Sequence, residues 1–344
     1  LRHYDCIELA TGVEVQGDLL FIAQRQYGVE IVNIADPRRP VYVSKVKTGE
    51  AQSIDVRGNY LYAGDWGPRA LRTIDISDPY HPKIVSSHEL DGYGDGVYVA
   101  GDFLYASTGH HSRPGRPKEG EPGYGAGHGL EVFSLSDPGK PEFLGRTKFP
   151  KYYFRDGYDM WTPVAAGDVV CCADTFNGVF VVDVEDPRAP RTIAHYPELV
   201  GGVAVVDDFI YAACPKAGLK VLAAPSLVRH DEHERGEPIR VPSAPRETPE
   251  DHRVYRPGGQ VWSVDFCGEH ALVAAGMKGL RFVEPRPEIR EVSHIETQGF
   301  AVHACVVGDR VYVSENTGGL SIWEHTGEGR LQLLGRYRPA TGQA

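Results

Sequence analysis

A short turn of the Gly-Asp type, followed by an apolar run, recurs seven times along the 344 residues of the chain. The copies begin at Gly17, Gly58, Gly101, Gly167, Asp207, Gly268 and Gly308. Four of the six intervals between them are 40 to 43 residues long, and the other two are longer by roughly 20–25 residues, as insertions into the same unit would make them. The chain is therefore predicted to be a series of equivalent units that pack against one another.

Each unit has the pattern of a four-stranded sheet. Short runs such as Val29–Asn33 alternate between apolar and polar residues, and Gly, Asp and Pro stand at their ends. Alternation with a period of two predicts strands, and a pair such as Asp36-Pro37 predicts a turn because proline presets the backbone for one. Four strands per unit, repeated seven times, predict an all-β fold: a seven-bladed β-propeller of four-stranded antiparallel blades.

The repeats extend over nearly the whole chain, so residues 1–344 are predicted to form a single seven-bladed domain. A lid-like insertion rich in Gly and Pro interrupts blade 3 at residues 107–129, and a charged loop interrupts blade 5 at residues 225–250. We expect the N-terminal strand at residues 4–9 to pair with the last blade near residues 331–334, which would close the ring.

Composition argues against several classes of protein. The 36 basic and 47 acidic side chains give a net charge of −11, which argues against a protein that coats nucleic acid. No stretch approaches about 18 consecutive apolar residues, so no membrane span is predicted.

The six cysteines form no CxxC pair, and free thiols favour the cytoplasm, although a processed N-terminus is compatible with secretion. We expect a soluble monomer that binds a saccharide or another small molecule.

Two segments carry a resemblance to a known family. Residues 28–40, Gly-Val-Glu-Ile-Val-Asn-Ile-Ala-Asp-Pro-Arg-Arg-Pro, and residues 178–187, Gly-Val-Phe-Val-Val-Asp-Val-Glu-Asp-Pro, resemble the LVIVD repeats of β-propellers. The resemblance covers nearly the whole chain and implies the propeller fold. It implies little about function, because one fold carries many activities.

The loops at one end of the predicted propeller vary most from unit to unit. With strand A of each blade at the channel and strands B to D outward, the Gly-Asp and Asp-Pro turns share one end. The B–C and D–A loops share the other, and variable loops on a rigid scaffold commonly carry binding residues. Aromatic, amide and basic side chains there are of the kinds that bind small ligands. The predicted substrate-binding residues are Tyr27, Trp66, Arg69, Tyr93, Trp161, Asn177, Gln260, Trp262 and His303.

The insertion in blade 3 has a histidine near each of its ends, His110 and His128. Strands B and C are neighbours, so we expect the two histidines to lie side by side at the edge of the cleft. The next D–A loop adds Arg155 and Tyr158. These groups suit β-elimination from a uronic acid, in which a base removes a proton, an acid protonates the leaving oxygen and a cation neutralises the carboxylate.

This constellation resembles that of seven-bladed propeller lyases that act on ulvan and on rhamnosyl-glucuronate. The resemblance implies His110 and His128 as base and substrate-orienting group, Tyr158 as acid and Arg155 as the group that neutralises the carboxylate. In those lyases the Tyr precedes its Arg, whereas here Arg155 comes first. The leading hypothesis is a carbon–oxygen lyase that acts on a uronic-acid-containing saccharide and requires no cofactor.

Other functions remain open at the same end of the propeller. A divalent metal (Zn, Mn or Ca) at the channel mouth would be held by His110, His128 and His303, with Gln260 or Asp95. A non-catalytic interaction propeller would use the same cleft to bind a glycan or a peptide. A paired-carboxylate hydrolase would draw on the acidic residues of these loops, Asp65, Asp95, Asp159 and Glu315.

Overall fold

Seven four-stranded antiparallel sheets make up the part of the chain that the structure, a computed structural model, describes. The described residues are 11–109, 127–149, 163–175, 177–207, 209–223, 253–286, 288–327 and 329–337. In every sheet the four strands are consecutive in sequence and neighbours in space. Each sheet is therefore an up-and-down blade.

The strands are short, from three to eight residues, and follow one another outward from the channel in each blade. Blades 1 to 3 contain β1 (Gly12–Gln16), β2 (Leu19–Ala23), β3 (Val29–Asn33), β4 (Val41–Val46), β5 (Ala51–Arg57), β6 (Tyr60–Asp65), β7 (Ala70–Asp75), β8 (Lys83–Glu89), β9 (Tyr93–Ala100), β10 (Phe103–Gly109), β11 (Gly129–Ser134) and β12 (Glu142–Lys148). Blades 4 and 5 contain β13 (Val164–Ala166), β14 (Val169–Asp174), β15 (Gly178–Asp183), β16 (Arg191–Tyr196), β17 (Gly202–Val206), β18 (Phe209–Cys214), β19 (Gly218–Ala223) and β20 (Arg253–Tyr255). Blades 6 and 7 contain β21 (Ser263–Cys267), β22 (His270–Ala274), β23 (Leu280–Glu284), β24 (Arg290–Ile295), β25 (His303–Val307), β26 (Arg310–Ser314), the 3-10 turn Asn316–Gly318, β27 (Leu320–His325) and β28 (Leu331–Tyr337).

The innermost strands of successive blades contact one another around a central channel. Contacts between β1 and β25 join blade 1 to blade 7 and close the ring. Apolar clusters fill the spaces between blades; in one of them Val13, Ile22 and Ile34 of blade 1 pack with Tyr312 and Ile322 of blade 7. Because both faces of a blade are covered by its neighbours, its middle strands are buried throughout, as β14 and β15 are.

The structure confirms the predicted seven-bladed all-β fold. The Gly-Asp turns join strands A and B, and the Asp-Pro turns join strands C and D, as at Gly17 and Asp36. Residues 4–9, most of the insertion at 107–129 and all of the loop at 225–250 lie outside the described residues, so the predicted N-terminal pairing stays a prediction. Blade 7 already has four strands of its own, β25 to β28. No helix of the described residues is long and apolar enough to cross a membrane.

Glycine begins strand C in several blades because a side chain does not fit there. Gly178 has a φ of 102°, and a Cβ at this position would overlap the carbonyl oxygen of Tyr196 on strand D. The equivalent glycines of three other blades meet the same obstacle: Gly28, Gly218 and Gly279. Gly167, in an A–B turn, also has a positive φ, of 58°, but a Cβ there would enter open space.

We predict that Gly178→Ala lowers the free energy of unfolding by about 3 kcal/mol or more, because overlap with the Tyr196 carbonyl is added to strain in the left-handed backbone. Gly167→Ala meets the backbone strain alone and is expected to cost about 1 kcal/mol. Urea unfolding of the two variants measures the difference. Equal losses of unfolding free energy in the two variants would show that the overlap with the Tyr196 carbonyl is relieved without a cost in stability.

Candidate functional site

The inner strands enclose a cavity of about 300 Å³ in the central channel. This volume is at the lower end of the range for small-molecule sites. Trp262 and His303 line the cavity at the end where the B–C and D–A loops lie, since Trp262 directly precedes the inner strand β21 and His303 begins the inner strand β25. Glu14 and Asp265 line it farther along the axis.

Side chains at one repeated position form a ring around this cavity. The position lies three residues before each A–B turn and is occupied, blade by blade, by Glu14, Asp55, Tyr98, Val164, Ala204, Asp265 and Cys305. All of them except Asp55 line the cavity. The acidic members belong to blades 6, 1 and 2, whereas the aliphatic members belong to blades 4 and 5. One wall of the channel is therefore acidic, and the wall opposite it is apolar.

The two aspartates of the ring bind the backbone of the next blade. Asp55 Oδ2 accepts a hydrogen bond from the amide of Val99 in blade 3 at 2.6 Å, and Asp265 Oδ2 accepts one from Val306 in blade 7 at 2.7 Å. The second oxygen of each carboxyl accepts from the amide of the residue that follows it. Both aspartates thus have a structural role.

Serines two positions earlier make the same kind of contact. Ser53 Oγ accepts from the amide of Val97 at 3.3 Å, and Ser263 Oγ accepts from the amide of Ala304 at 3.1 Å. These amides lie on strand A, whose channel edge has no neighbouring strand. The two Ser-x-Asp segments therefore satisfy backbone donors that the sheet leaves open.

Glu14 occupies the same ring position in blade 1, but it has no hydrogen bond or ion pair with any described residue. Burial raises the pKa of its carboxyl well above the usual 4.5, and the negative charges of Asp55 and Asp265 raise that pKa further. Burial likewise raises the pKa of Asp55 from 3.8 to about 6 and raises the pKa of Asp265. Three carboxyl groups thus resist ionising together, and the described lining of the cavity contains no Lys or Arg.

His303 brings an imidazole to the entrance of the cavity. Burial lowers the pKa of His303 to about 4, so the ring is neutral at neutral pH. Its Nδ1 atom is buried and has no hydrogen-bond partner among the described residues. The indole N–H of Trp262 donates to Gln260 Oε1 at 3.3 Å, and its ring meets Phe300 edge-on. Three predicted binding residues, Gln260, Trp262 and His303, thus gather at this end of the channel.

Other predicted binding residues lie on the same end of the propeller but outside this cavity. The rings of Trp66 and Tyr93 stack at a centroid distance of 4.2 Å and join a loop of blade 2 to the start of blade 3. Arg69, in the same loop as Trp66, forms an ion pair with an exposed glutamate of strand D. Tyr27 of blade 1 lies under the ammonium group of Lys45, 4.4 Å from the ring centroid.

His128 and Asn177 lie in the interior between blades 3 and 4. The side chain of His128 is 3% exposed, and its Nε2 lies 2.5 Å from Oδ2 of Asp174. Its ring meets Phe149 and Phe180 edge-on, at centroid distances of 5.5 and 5.8 Å. Asn177 donates to the same oxygen of Asp174 at 2.6 Å. These contacts tie the two blades together.

The rest of the predicted catalytic set, His110, Arg155 and Tyr158, lies outside the described residues, as does Trp161. Their convergence with His128 therefore stays a prediction, and so does the metal site built on His110, His128 and His303. Within the described ranges no group of three or more His, Cys, Asp or Glu side chains is placed to hold a metal ion.

Two acidic residues of the variable loops, Asp65 and Glu315, are fully buried and anchor neighbouring loops. Glu315 Oε2 accepts from the amides of Gln298 and Gly299, both at 2.9 Å, and Oε1 lies 3.0 Å from the guanidinium of Arg336. Asp65 makes equivalent contacts in blade 2 with a loop amide and an arginine. Their oxygens are occupied, so neither residue is available to a substrate, contrary to the hydrolase hypothesis.

A family model described as the LVIVD repeat matches residues 9–48, 48–89 and 164–197. The chain contains LVIVD repeats. The matched segments correspond to blades 1, 2 and 4. Among curated proteins, none matches this sequence.

Solved structures share the fold of this chain at low sequence identity. The computationally designed Ika8 protein is 10% identical, with a TM-score of 0.59 over 96% of this chain and 87% of that chain. A proposed 6-phosphogluconolactonase from Bacteroides fragilis NCTC 9343 is 11% identical, with a TM-score of 0.62 over 94% of this chain and 92% of that chain. At such identities the likeness shows the propeller fold alone.

Sequence analysis did not single out Glu14, Asp55 or Asp265, although a signal for them was present. Each stands three residues before the glycine that begins an A–B turn. Because the turns are equivalent and strand residues alternate in direction, a shared offset places side chains at the same height in the channel. Comparing the units position by position would have found the acidic wall.

We predict that Glu14→Gln stabilises the protein at neutral pH by about 2 kcal/mol, because the isosteric amide replaces a half-buried, unpartnered acid whose ionisation the channel opposes. The gain should grow as the pH rises above about 4.5, the usual pKa of a glutamate. Glu14 ionises near its usual pKa of 4.5 in the unfolded chain, whereas its raised pKa delays ionisation in the folded protein, so the wild type loses stability relative to the variant.

Urea unfolding of wild type and variant across this pH range measures the effect. Glu142→Gln is the matched control, since Glu142 is exposed at the start of β12. A stability difference that does not change with pH would contradict the raised pKa of Glu14.

Proposed function

We propose that this propeller binds a small molecule in its central channel, which the ligand enters from the end where the B–C and D–A loops lie. The observation that carries the proposal is the cavity of about 300 Å³, which has an aromatic and a neutral imidazole side chain at its entrance and carboxyl groups farther in. Small-molecule sites are typically concave and combine apolar surface with a few polar groups in this way.

Two polar side chains of the cavity lack a hydrogen-bond partner among the described residues, and this supports the proposal. The Nδ1 atom of His303 is buried and unpartnered, and the carboxyl of Glu14 has no described contact. Enclosed polar groups in folded proteins are nearly always hydrogen-bonded to protein, water or ligand. A ligand that satisfies both groups would lie along the channel axis.

Loops around the entrance offer further contact area for a larger glycan or peptide. The stacked rings of Trp66 and Tyr93 form an aromatic surface at this end of the propeller. Aromatic faces of this kind suit the apolar face of a sugar or an amino-acid side chain. Binding of a glycan or peptide without catalysis therefore belongs to the same proposal.

Ala204→Phe tests the channel, because the larger side chain would project from the apolar wall into the cavity. We predict that any compound that binds the wild type, in a panel of neutral sugars, uronates, amines and nucleosides, loses binding to this variant in ligand-observed NMR. Val85→Phe, on an exposed outer strand, is the control and should bind as the wild type does. Trp262→Leu is a second variant in case Ala204→Phe does not fold.

Binding that survives both channel variants would place the ligand elsewhere and reject the proposal. A panel in which nothing binds the wild type would reject it as well. Loss of compound binding in the channel variants, with binding retained in Val85→Phe, supports the proposal.

β-Elimination is the second candidate; because His128 is 3% exposed and is held by Asp174 at 2.5 Å between blades 3 and 4, the proton-removing base in this hypothesis is His110. The lyase hypothesis predicts that a uronic-acid polymer incubated with the protein gains the ultraviolet absorbance of an unsaturated product. Tyr158→Phe, which removes the predicted acid, should abolish the signal, whereas Tyr80→Phe, on an exposed turn, should not. No absorbance across a broad set of uronides would exclude the lyase and leave the binding proposal intact.

A further inference from the structure

We infer that the channel takes a small organic cation, a primary amine or diamine, whose ammonium group lies against the carboxylate of Glu14. Asp265 and Asp55 add negative charge at the same height, and the hydrocarbon part of the ligand lies against Val164 and Ala204. This inference rests on the proposed function and names the class of ligand for that site.

Glu14 points to a ligand because the fold gives it no other role. Asp55 and Asp265, at equivalent positions, use both carboxyl oxygens on backbone amides. Glu14 lines the cavity without a described hydrogen bond or ion pair. A half-buried acid that faces other carboxyl groups without a partner costs stability, so a group that completes its contacts is expected.

The charge of the surroundings selects a cation. The titratable groups that face Glu14 are Asp55 on β5, Tyr98 on β9, Asp265 on β21, and His303 and Cys305 on β25. Each of them is neutral or negative at neutral pH. Arg57, on the inner strand β5, bonds instead to the A–B turn of blade 3. A positively charged ligand therefore meets attraction from several sides and no opposing cation among the described residues.

The shape of the channel favours an organic cation over a metal ion. A metal ion requires several oxygen or nitrogen ligands converging on one point. Here the aspartate oxygens are occupied by amides, and no group of three potential metal ligands is found in the described parts of the chain. Acidic residues on one wall and aliphatic residues on the other instead match a molecule with a charged end and a hydrocarbon body.

Binding is expected to be linked to proton release. Burial raises the pKa values of Glu14 and Asp55, and the negative charges of Asp55 and Asp265 raise that of Glu14 further, so these groups hold their protons more tightly than usual. A bound ammonium group favours the ionised form of Glu14, so affinity should rise with pH until that carboxyl is ionised in the free protein as well.

Isothermal titration with 1,4-diaminobutane tests the inference, with 1,4-butanediol as the uncharged analogue and calcium chloride as the metal probe. We expect the diamine to bind the wild type, the diol and calcium not to bind, and Glu14→Gln to weaken diamine binding by at least about tenfold. Glu142→Gln, at an exposed site, should bind as the wild type does. Titration in two buffers of different ionisation enthalpy should reveal protons released on binding.

Each other outcome overturns the inference. Equal binding of diamine and diol would show that charge is not recognised, and binding of calcium in preference to the diamine would identify a metal site. Unchanged affinity of Glu14→Gln for the diamine would show that Glu14 does not bind the ligand. If the diamine does not bind but another compound binds in a way that Ala204→Phe abolishes, the proposed function stands and only the ligand class is wrong.

Discussion

The inner strand of every blade has one hydrogen-bonding edge that no other strand covers, and the channel is built around this constraint. Backbone amides on such an edge need acceptors, since an enclosed unpaired donor costs free energy comparable to a lost hydrogen bond. In blades 3 and 7 the acceptors come from the preceding blade, as Asp55 bonds Val99 and Asp265 bonds Val306. The same contacts fix neighbouring inner strands in register around the ring.

The use of aspartates as acceptors for these amides brings carboxyl groups into an enclosed space and so determines the electrostatics of the channel. Once Asp55 and Asp265 stand there, any further acid at the same height is opposed by both of them. The blades that carry acids are grouped on one side, whereas blades 4 and 5 present Val164 and Ala204. The aspartates that bind the edge amides therefore also give the cavity one acidic wall and one apolar wall. A cavity with walls of different polarity is suited to bind a ligand.

The fold could be predicted from the sequence because its signals are local. A turn such as Gly17-Asp18 or Asp36-Pro37 has a backbone preference that the surrounding structure does not change, and seven equal units leave few alternatives to a ring. The site was harder to predict because the role of a polar side chain depends on residues far away in sequence. Glu315, in a variable loop, resembles a ligand-binding acid, yet its oxygens bind loop amides and Arg336.

Glu14 is the acidic residue of the channel whose presence is not explained by hydrogen bonding to a neighbouring blade. If edge amides alone explained the acids, the ring position of blade 1 would carry a residue that bonds the next blade or an apolar residue such as those of blades 4 and 5. It carries instead a glutamate whose longer side chain lines the cavity without a described partner. Replacing a half-buried, unpaired acid by an isosteric neutral residue is expected to increase stability, so its presence is a cost that the fold does not require. Residues of this kind are characteristic of binding sites, where stability is given up for an interaction that forms only when the ligand arrives.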